Sequence, residues 1–201
     1  MTEHYYTKTP ASAHDRKMLE TELRGLRLRF ATDAGVFSKG AIDYGSRLLI
    51  ESLKLPQDAR VLDIGCGYGP IGISAALLAR QGAVVMADIN ERALQLAASN
   101  AALNRADNVR VICSNLLDQV QDREYTHILS NPPIRAGKQV VHRLFEQARD
   151  HLADGGELWI VIQKKQGAPS ALARLNELYD EVVIEGKDRG YFVYRAIKAR
   201  P

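Results

Sequence analysis

Short apolar runs alternate with amphipathic segments along most of this chain. Strand-like runs occur at RVLDI (60–64), AVVMAD (83–88), VRVIC (109–113), THILS (126–130) and GELWIVI (156–162). Helix-like segments lie between them at PIGISAALLARQG (70–82), INERALQLAASNAALN (89–104) and QVVHRLFEQARDHL (139–152). The first of these helices should end on Gly82. The second has Ala93, Leu96, Ala97 and Leu103 on one side. Apolar strands that alternate with helices predict a doubly wound, Rossmann-like α/β fold with a mostly parallel sheet.

Both ends of the chain depart from this alternation. EVVIEG (181–186) and GYFVYRAI (190–197) are separated by too few residues for a crossover helix, so they predict an antiparallel C-terminal hairpin. Near the start, LRLRF (26–30) has the pattern of a half-exposed strand, and residues 34–55 resemble a loop that leads into a helix. We expect one domain over residues 1–201, with 1–58 as an N-terminal arm and helix and 59–201 as the cofactor-binding core.

Composition and charge narrow the function only slightly. Of 201 residues, 46% are hydrophobic and 25% charged, and no apolar run approaches the roughly 18 residues that span a bilayer. The polar start lacks the apolar stretch of a secretory signal, so a cytoplasmic location without membrane contact is expected. The net charge of +3 permits a nucleic-acid partner without requiring one. Cys66 and Cys113 have no metal-ligand spacing, so we expect reduced thiols and no metal site.

A glycine-rich loop directly follows the first strand of the core. VLDIGCGYGPIG places Gly65, Gly67 and Gly69 where ligands bind in doubly wound sheets. The dinucleotide fingerprint requires a small residue at the next position, which is Pro70, a residue that instead opens helices well. Alternate glycines preceded by Asp63 resemble the cofactor loop of S-adenosylmethionine (SAM) methyltransferases, whereas a plain strand-to-helix turn is the alternative.

Polar residues also end the second and third core strands. Asp88 lies 23 residues after Gly65, near the spacing at which a carboxylate accepts the two ribose hydroxyls of a nucleotide-like cofactor. The alternative is that Asp88 caps the following helix. Asn115 lies where an adenine ring would bind, or else forms a local turn.

The segment SNPPI (130–134) follows the fourth core strand, where strand order commonly reverses. By itself, Asn-Pro is typical of a turn. An exocyclic amino or carboxamide nitrogen is a poor nucleophile because its lone pair is delocalised. The side-chain oxygen of Asn131 and the backbone carbonyl of Pro132 would accept its N–H bonds and stabilise the charge that develops as it attacks a methyl group. Adjacent proline rings at Pro132 and Pro133 would keep these acceptors rigid.

Basic residues cluster around the same predicted edge. Arg135 and Lys138 follow the Asn-Pro-Pro segment, and Lys164 and Lys165 follow the fifth core strand. Such charges would contact the phosphates of an RNA substrate, whereas a solvated lysine face is the alternative.

Together these segments resemble class I SAM-dependent methyltransferases. The pieces DAGVFSKGAIDYGSRLLIE, VLDIGCGYGPIG, MADINERAL, SNLLD and SNPPIRAGK resemble the methyltransferase small domain family, which includes ribosomal RNA small-subunit enzymes that act on the guanine 2-amino group. The resemblance implies a seven-stranded sheet whose last strand is antiparallel. It also implies that SAM is surrounded by Asp63, Gly65, Gly67, Asp88 and Asn115. The segment of Phe37, Ser38 and Lys39 would close over the cofactor. Asn131 and Pro132 would hold the target amine.

Two departures from the family bear on the substrate. The position after Pro133 is often aromatic in amino methyltransferases and stacks on a flipped base, but here it is Ile134. The ribosomal RNA members carry a further N-terminal domain, which this chain is too short to hold. We expect methylation of a guanine amino group in ribosomal RNA, with RNA contacted by Pro133, Ile134, Arg135, Lys138 and Lys164. The alternatives are amino methylation of protein glutamine, DNA or a small molecule, and a non-catalytic SAM-binding RNA chaperone.

Overall fold

The computed structural model describes residues 13–38 and 40–200. Its strands are β1 (Lys17–Leu23), β2 (Leu26–Thr32), β3 (Arg60–Ile64), β4 (Ala83–Asp88), β5 (Val109–Cys113), β6 (Tyr125–Ser130), β7 (Leu152–Gln163), β8 (Glu181–Asp188) and β9 (Tyr191–Ile197). Its helices are α1 (Tyr44–Ser52), α2 (Pro70–Leu78), α3 (Glu91–Leu103), α4 (Lys138–His151) and α5 (Ala168–Leu178).

Seven strands form one sheet in the order β5-β4-β3-β6-β7-β9-β8. Strands β3 to β7 pair in parallel, whereas β9 runs antiparallel to both β7 and β8. The predicted Rossmann-like sheet with its antiparallel C-terminal hairpin is therefore confirmed. Strand order reverses between β3 and β6, and the carboxyl ends of these strands are where such sheets bind ligands.

Helices cover both faces of this sheet and form two apolar clusters. Helices α1, α2 and α3 pack on one face, around Leu49 and Trp159, and helices α4 and α5 pack on the other, around Phe145. The β1–β2 hairpin docks on α3, because the side chain of Asn100 exchanges hydrogen bonds of 2.7 and 2.9 Å with the backbone of Ala31. The half-exposed strand predicted at residues 26–30 is confirmed as part of β2.

Several local predictions are wrong in detail. Helix α2 ends at Leu78 and not at Gly82. Leu103, predicted to share one side of α3 with Ala93, Leu96 and Ala97, is 37% exposed at the end of that helix, whereas the other three are buried. Strand β1 and helix α5 were not predicted at all. Lys39, expected to close over the cofactor, lies outside the described residues, and the division of the chain near residue 58 stays a prediction.

Gly82 is required for packing between backbones. A Cβ atom at this position would lie 2.0 Å from the carbonyl oxygen of Ala59, which precedes β3. We expect Gly82→Ala to lower the free energy of unfolding by about 2 to 3 kcal/mol, since the backbone would have to move apart. In urea denaturation, the control Gly40→Ala should stay within about 0.5 kcal/mol of wild type, because a Cβ there meets no atom within 4 Å. Equal stabilities of the two variants would contradict the close approach.

Candidate active site

A cleft opens at the carboxyl ends of β3, β4 and β6, with about 860 Å³ of empty space that is continuous with solvent. Its walls come from the segment before α1, the loop after β3, the end of β4, the turn after β5 and the segment after β6. Among the lining residues are Phe37, Ser38, Asp43, Ser46, Gly65, Gly67, Asp88, Asn90, Ser114, Leu116, Asn131, Pro132 and Pro133. The structure thus brings most of the predicted site residues together.

The glycine loop presents bare backbone to this cleft. Gly65 and Gly67 have positive φ angles of 70° and 56°, and a Cβ on either would meet no atom within 4 Å. The loop is tied to β4, because the N–H groups of Gly65 and Cys66 both donate to the carbonyl of Ala87, at 2.8 and 3.1 Å. A ligand can therefore approach the loop closely without meeting a side chain.

Asp88 joins the loop to the start of α3. Its carboxylate accepts hydrogen bonds from the backbone N–H of Gly67 at 2.8 Å and of Asn90 at 2.9 Å. Burial raises the pKa of Asp88, and these two donors lower it again in part. The side chain that caps α3 belongs to Asn90, which accepts from Ala93, so a capping role for Asp88 is wrong. Contact between Asp88 and a ribose stays a prediction.

Asp63 lies beneath the loop and does not line the cleft. The side chain is fully buried, and one carboxylate oxygen accepts the N–H of Gly72 at 2.8 Å. Among the described residues, the other oxygen has no hydrogen-bond partner. Burial, with the nearby charge of Asp88, raises the pKa of Asp63 to about 7. Direct contact of Asp63 with the cofactor remains a prediction, whereas its contact with α2 is seen.

The buried carboxyl of Asp63 should make stability depend on pH. Its pKa in the folded chain lies above the ordinary 3.8, so the folded state holds a proton that the unfolded state has lost. The free energy of unfolding should therefore fall as pH rises from about 4 to about 7, by up to about 4 kcal/mol for this group. In Asp63→Asn this part of the fall should disappear in thermal melts across that range. Parallel pH curves for the two proteins would contradict it.

The amide of Asn131 is held by the first turn of α1. Its Nδ2 atom donates to Asp43 Oδ2 at 3.0 Å and to Ser46 Oγ at 3.1 Å. Asp43 is also the N-cap of α1, where its Oδ2 accepts the backbone N–H of Ser46 at 3.0 Å. Because the amide is planar and its nitrogen is engaged on this side, its oxygen is turned away from these partners.

The carbonyl of Pro132 is fixed by a tight turn. Pro133 has φ −75° and ψ 75°, and the N–H of Ile134 donates to the Pro132 carbonyl at 2.8 Å. This is an inverse γ-turn, which sets the direction of the carbonyl. A carbonyl oxygen has two lone pairs, so one remains for another donor. Pro132 as an acceptor for a substrate amine stays a prediction.

The other two predicted cofactor residues, Phe37 and Asn115, differ in whether they line the cleft. Phe37 is 41% exposed and lines the cleft together with Ser38. Asn115 is half-buried between the lining residues Ser114 and Leu116 but does not itself line the cleft, and its backbone N–H donates to Gln119 Oε1 at 2.8 Å. The predicted contact of Asn115 with an adenine ring stays a prediction.

The predicted substrate-binding residues lie on the chain segments that follow β6 and β7. Pro133 is buried in the cleft wall, and Ile134 is half-buried against the cluster under α4. Arg135, Lys138 and Lys164 are exposed, and none of them forms an ion pair with a carboxylate in the described part of the chain. These three side chains thus leave positive charge on the segments that leave the carboxyl ends of β6 and β7, the first of which begins with Asn131.

Sequence reasoning missed two residues of this site. Asp43 and Ser46 contact Asn131 although they lie 88 and 85 positions away along the chain. The signal in the sequence was that Asp43 precedes a predicted helix and is three residues before Ser46, a spacing typical of an N-cap and the residue whose backbone N–H it accepts.

Residues 13–38 and 40–200 contain neither a membrane span nor a metal-binding cluster. No helix there combines the length and the apolar character that a bilayer crossing needs. The same residues contain no group of three or more His, Cys, Asp or Glu side chains that would hold a metal ion. Cys66 is buried and Cys113 is exposed, and both are free thiols.

Comparison with known proteins places this cleft in context. The family model "Methyltransferase small domain" matches residues 27–195. The Bacillus subtilis protein YbxB is 48% identical over 200 residues, which cover 98% of this chain and 100% of YbxB. Ribosomal RNA small subunit methyltransferase C of Escherichia coli is 30% identical over 197 residues, which cover 96% of this chain and 55% of that protein.

A solved structure shares the fold. The 16S rRNA N2 methyltransferase RsmC of T. thermophilus, in complex with AdoMet and guanosine, superposes with a TM-score of 0.80 at 23% identity. The superposition covers 94% of this chain and 52% of that one. The chain therefore spans about half the length of the RsmC proteins it resembles and the full length of YbxB.

Proposed function

The chain belongs to the methyltransferase small domain family, and we propose that it transfers a methyl group from SAM to the exocyclic amino group of a guanine in ribosomal RNA. The observation that carries this proposal is the anchored amide of Asn131. It lies in the same cleft as the glycine loop, with its nitrogen held by Asp43 and Ser46.

The cleft fits SAM, the cofactor of this family. Gly65 and Gly67 offer unobstructed backbone, and Asp88 places a carboxylate at the end of β4 for hydroxyl groups. Asp43 adds a second carboxylate to the wall, which suits a cationic ligand. When bound, SAM supplies a methyl group activated by a sulfonium centre. Phe37 at the mouth would cover its adenosine part and exclude water.

Asn131 and Pro132 would prepare the acceptor nitrogen. The Asn131 oxygen and the second lone pair of the Pro132 carbonyl would each accept one N–H bond of the amine, so that the nitrogen lone pair points into the cleft. Both acceptors are fixed before the substrate arrives, one by Asp43 and Ser46 and one by the γ-turn. Such preorganised dipoles stabilise developing positive charge without reorganisation. The amine can lose its proton to water after the transfer.

The choice of ribosomal RNA rests on charge and on relatives. Arg135, Lys138 and Lys164 are exposed on the segments that follow β6 and β7 and suit a phosphate backbone. Two RsmC proteins, named for ribosomal RNA methylation, are similar to this chain in sequence or in fold. Ile134 offers an apolar contact to a base, with less stacking surface than an aromatic ring.

Incubation with radiolabelled SAM tests the substrate. Total RNA, DNA and protein from cells that lack this protein would be offered to the wild-type chain, with heat-inactivated protein as a control. Label should enter RNA and be recovered as N2-methylguanosine after nuclease digestion and mass spectrometry. Label only in protein or only in DNA would reject the RNA substrate, and SAM binding without transfer to any pool would support the non-catalytic alternative.

A further inference from the structure

The β8–β9 hairpin places an arginine on a pair of tyrosine rings beside the proposed site. The guanidinium carbon of Arg189 lies 5.0 Å from the centroid of the Tyr44 ring. The rings of Tyr44 and Tyr191 are 5.6 Å apart between centroids, with an interplanar angle of 48°. Arg189 is exposed at the tip of the hairpin, whereas both tyrosines are half-buried. We call these three residues the stacking platform.

The stacking platform lies at the same edge of the sheet as Asn131. Tyr44 directly follows Asp43, whose carboxylate binds the Asn131 amide. Tyr191 pairs in register with Gln163, the last residue of β7, so the hairpin tip is at the carboxyl edge of the parallel strands. The backbone N–H of Lys164 donates to the carbonyl of Gly190 at 2.7 Å, which holds this lysine beside the platform.

Contacts beneath Arg189 hold the stack in place. The Tyr44 hydroxyl donates to the Asp188 carboxylate, and the other oxygen of Asp188 accepts the backbone N–H of Arg189 at 3.0 Å. A Cβ on Gly45 would lie 3.1 Å from the Tyr191 ring, so the glycine lets that ring rest against α1. The one acidic side chain at the tip is thus engaged from within, and the guanidinium is left outermost.

We propose that the stacking platform binds an unpaired base of single-stranded RNA next to the nucleotide held at Asn131. This inference rests on the proposed function, because it takes RNA as the substrate. Unpaired bases stack on aromatic rings and on guanidinium planes, and such stacking tolerates any base. The ammonium groups of Lys164 and Lys165, exposed beside the tip, supply contacts to the adjoining phosphates. Stacking at Arg189 offsets the missing aromatic ring at Ile134.

The same hairpin contains a matched control. Lys187 lies 5.3 Å from the ring centroid of Phe192. Phe192 packs with the cluster of α4 and α5, whereas Tyr191 packs with that of α1, so the two cations lie over opposite faces of the sheet. Lys187→Ala and Arg189→Ala remove equal charge from equally exposed positions, and only Arg189 belongs to the stacking platform.

Binding of a fluorescent RNA tests the proposal without requiring catalysis. The probe is a short single-stranded RNA with 2-aminopurine next to a guanosine, titrated with the full chain. Wild type should quench the 2-aminopurine on binding. Arg189→Ala should weaken binding roughly 10-fold and abolish the quenching, and Lys187→Ala should bind within about 2-fold of wild type. Arg189→Lys should retain binding better than alanine but not quench, because an ammonium group lacks a planar face.

Defined outcomes would overturn the platform. Equal losses in Arg189→Ala and Lys187→Ala would show general charge attraction, and full quenching by Arg189→Lys would exclude guanidinium stacking. Equally tight binding of a duplex of the same sequence would exclude a single-stranded partner. Binding and quenching do not require methyl transfer, so a failed methylation assay leaves this test intact. Conversely, if Arg189→Ala methylates RNA with an unchanged KM, the platform fails while the proposed function stands.

Discussion

Replacing Asn131 with alanine should lower the rate of methyl transfer to RNA by roughly 100-fold or more, while the Kd for SAM changes by less than about 2-fold. The variant loses an acceptor that acts on the substrate nitrogen, and the cofactor contacts of the glycine loop are unchanged. Single-turnover transfer with saturating SAM measures the first quantity, and isothermal titration calorimetry measures the second. The side chain is half-buried in the cleft wall, so thermal melting should confirm that the variant folds.

A milder substitution, at Ser46, distinguishes the acceptor oxygen of Asn131 from the hydrogen bonds that hold its amide. Ser46→Ala removes one of the two partners of the Asn131 amide and leaves the acceptor oxygen in place. We expect a loss of several-fold, about that of one hydrogen bond between neutral groups. Turnover like wild type in Asn131→Ala, or a greater loss in Ser46→Ala than in Asn131→Ala, would refute the assigned role of the asparagine oxygen.

The sheet could be predicted because its central strands are buried on both faces. Short apolar runs such as 60–64 and 126–130 are typical of strands that are covered on both faces, and both runs form such strands here. The end of α2 could not be predicted in this way. Its helical composition continues past Leu78, but the chain must turn there to bring Gly82 against the backbone of Ala59. Helix α5 was missed because Gly167 and Pro169 suggest a break, whereas here they form its start.

The residues of the site also fall into two groups, those that strand topology predicts and those that depend on how helices pack. Gly65, Asp88 and Asn131 follow neighbouring parallel strands, whose carboxyl ends necessarily meet, so their shared cleft follows from topology. Asp43 reaches Asn131 only because α1 packs against β7, β8 and β9, and no pattern within either segment encodes that docking. The position of Arg189 over Tyr44 likewise depends on how the hairpin meets α1, so no pattern in the sequence indicates it.

Exchanging the two partners of the Asp43–Asn131 pair should restore much of what each single change removes. In Asn131→Asp, the new carboxylate faces the carboxylate of Asp43 across a distance that now joins an amide and a carboxylate. We expect their repulsion to lower the transfer rate roughly 30-fold or more. Asp43→Asn alone should lose roughly 10-fold, since an amide no longer dictates which end of Asn131 faces the cleft. The double variant, Asp43→Asn with Asn131→Asp, again pairs an amide with a carboxylate and leaves one carboxylate oxygen for the substrate amine. Its transfer rate should exceed that of Asn131→Asp by at least about 10-fold.

The exchange distinguishes orientation of the amide from simple support of α1. Asparagine and aspartate are equally good N-caps, so if Asp43 only caps the helix, Asp43→Asn would be silent and the double variant would be as slow as Asn131→Asp. One atom, Asp43 Oδ2, accepts both the Asn131 amide and the Ser46 N–H, so an amide nitrogen that turns toward position 131 in the double variant gives up the cap. Thermal melting should therefore show a loss of about 1 kcal/mol for the double variant relative to Asp43→Asn. Rescue in transfer rate despite this lower stability requires that residue 43 acts through the direction of the side chain at position 131. Failure of rescue, with folding intact, would contradict a role for Asp43 in orienting the side chain at position 131, and the γ-turn carbonyl of Pro132 would remain as a preorganised acceptor for the amine.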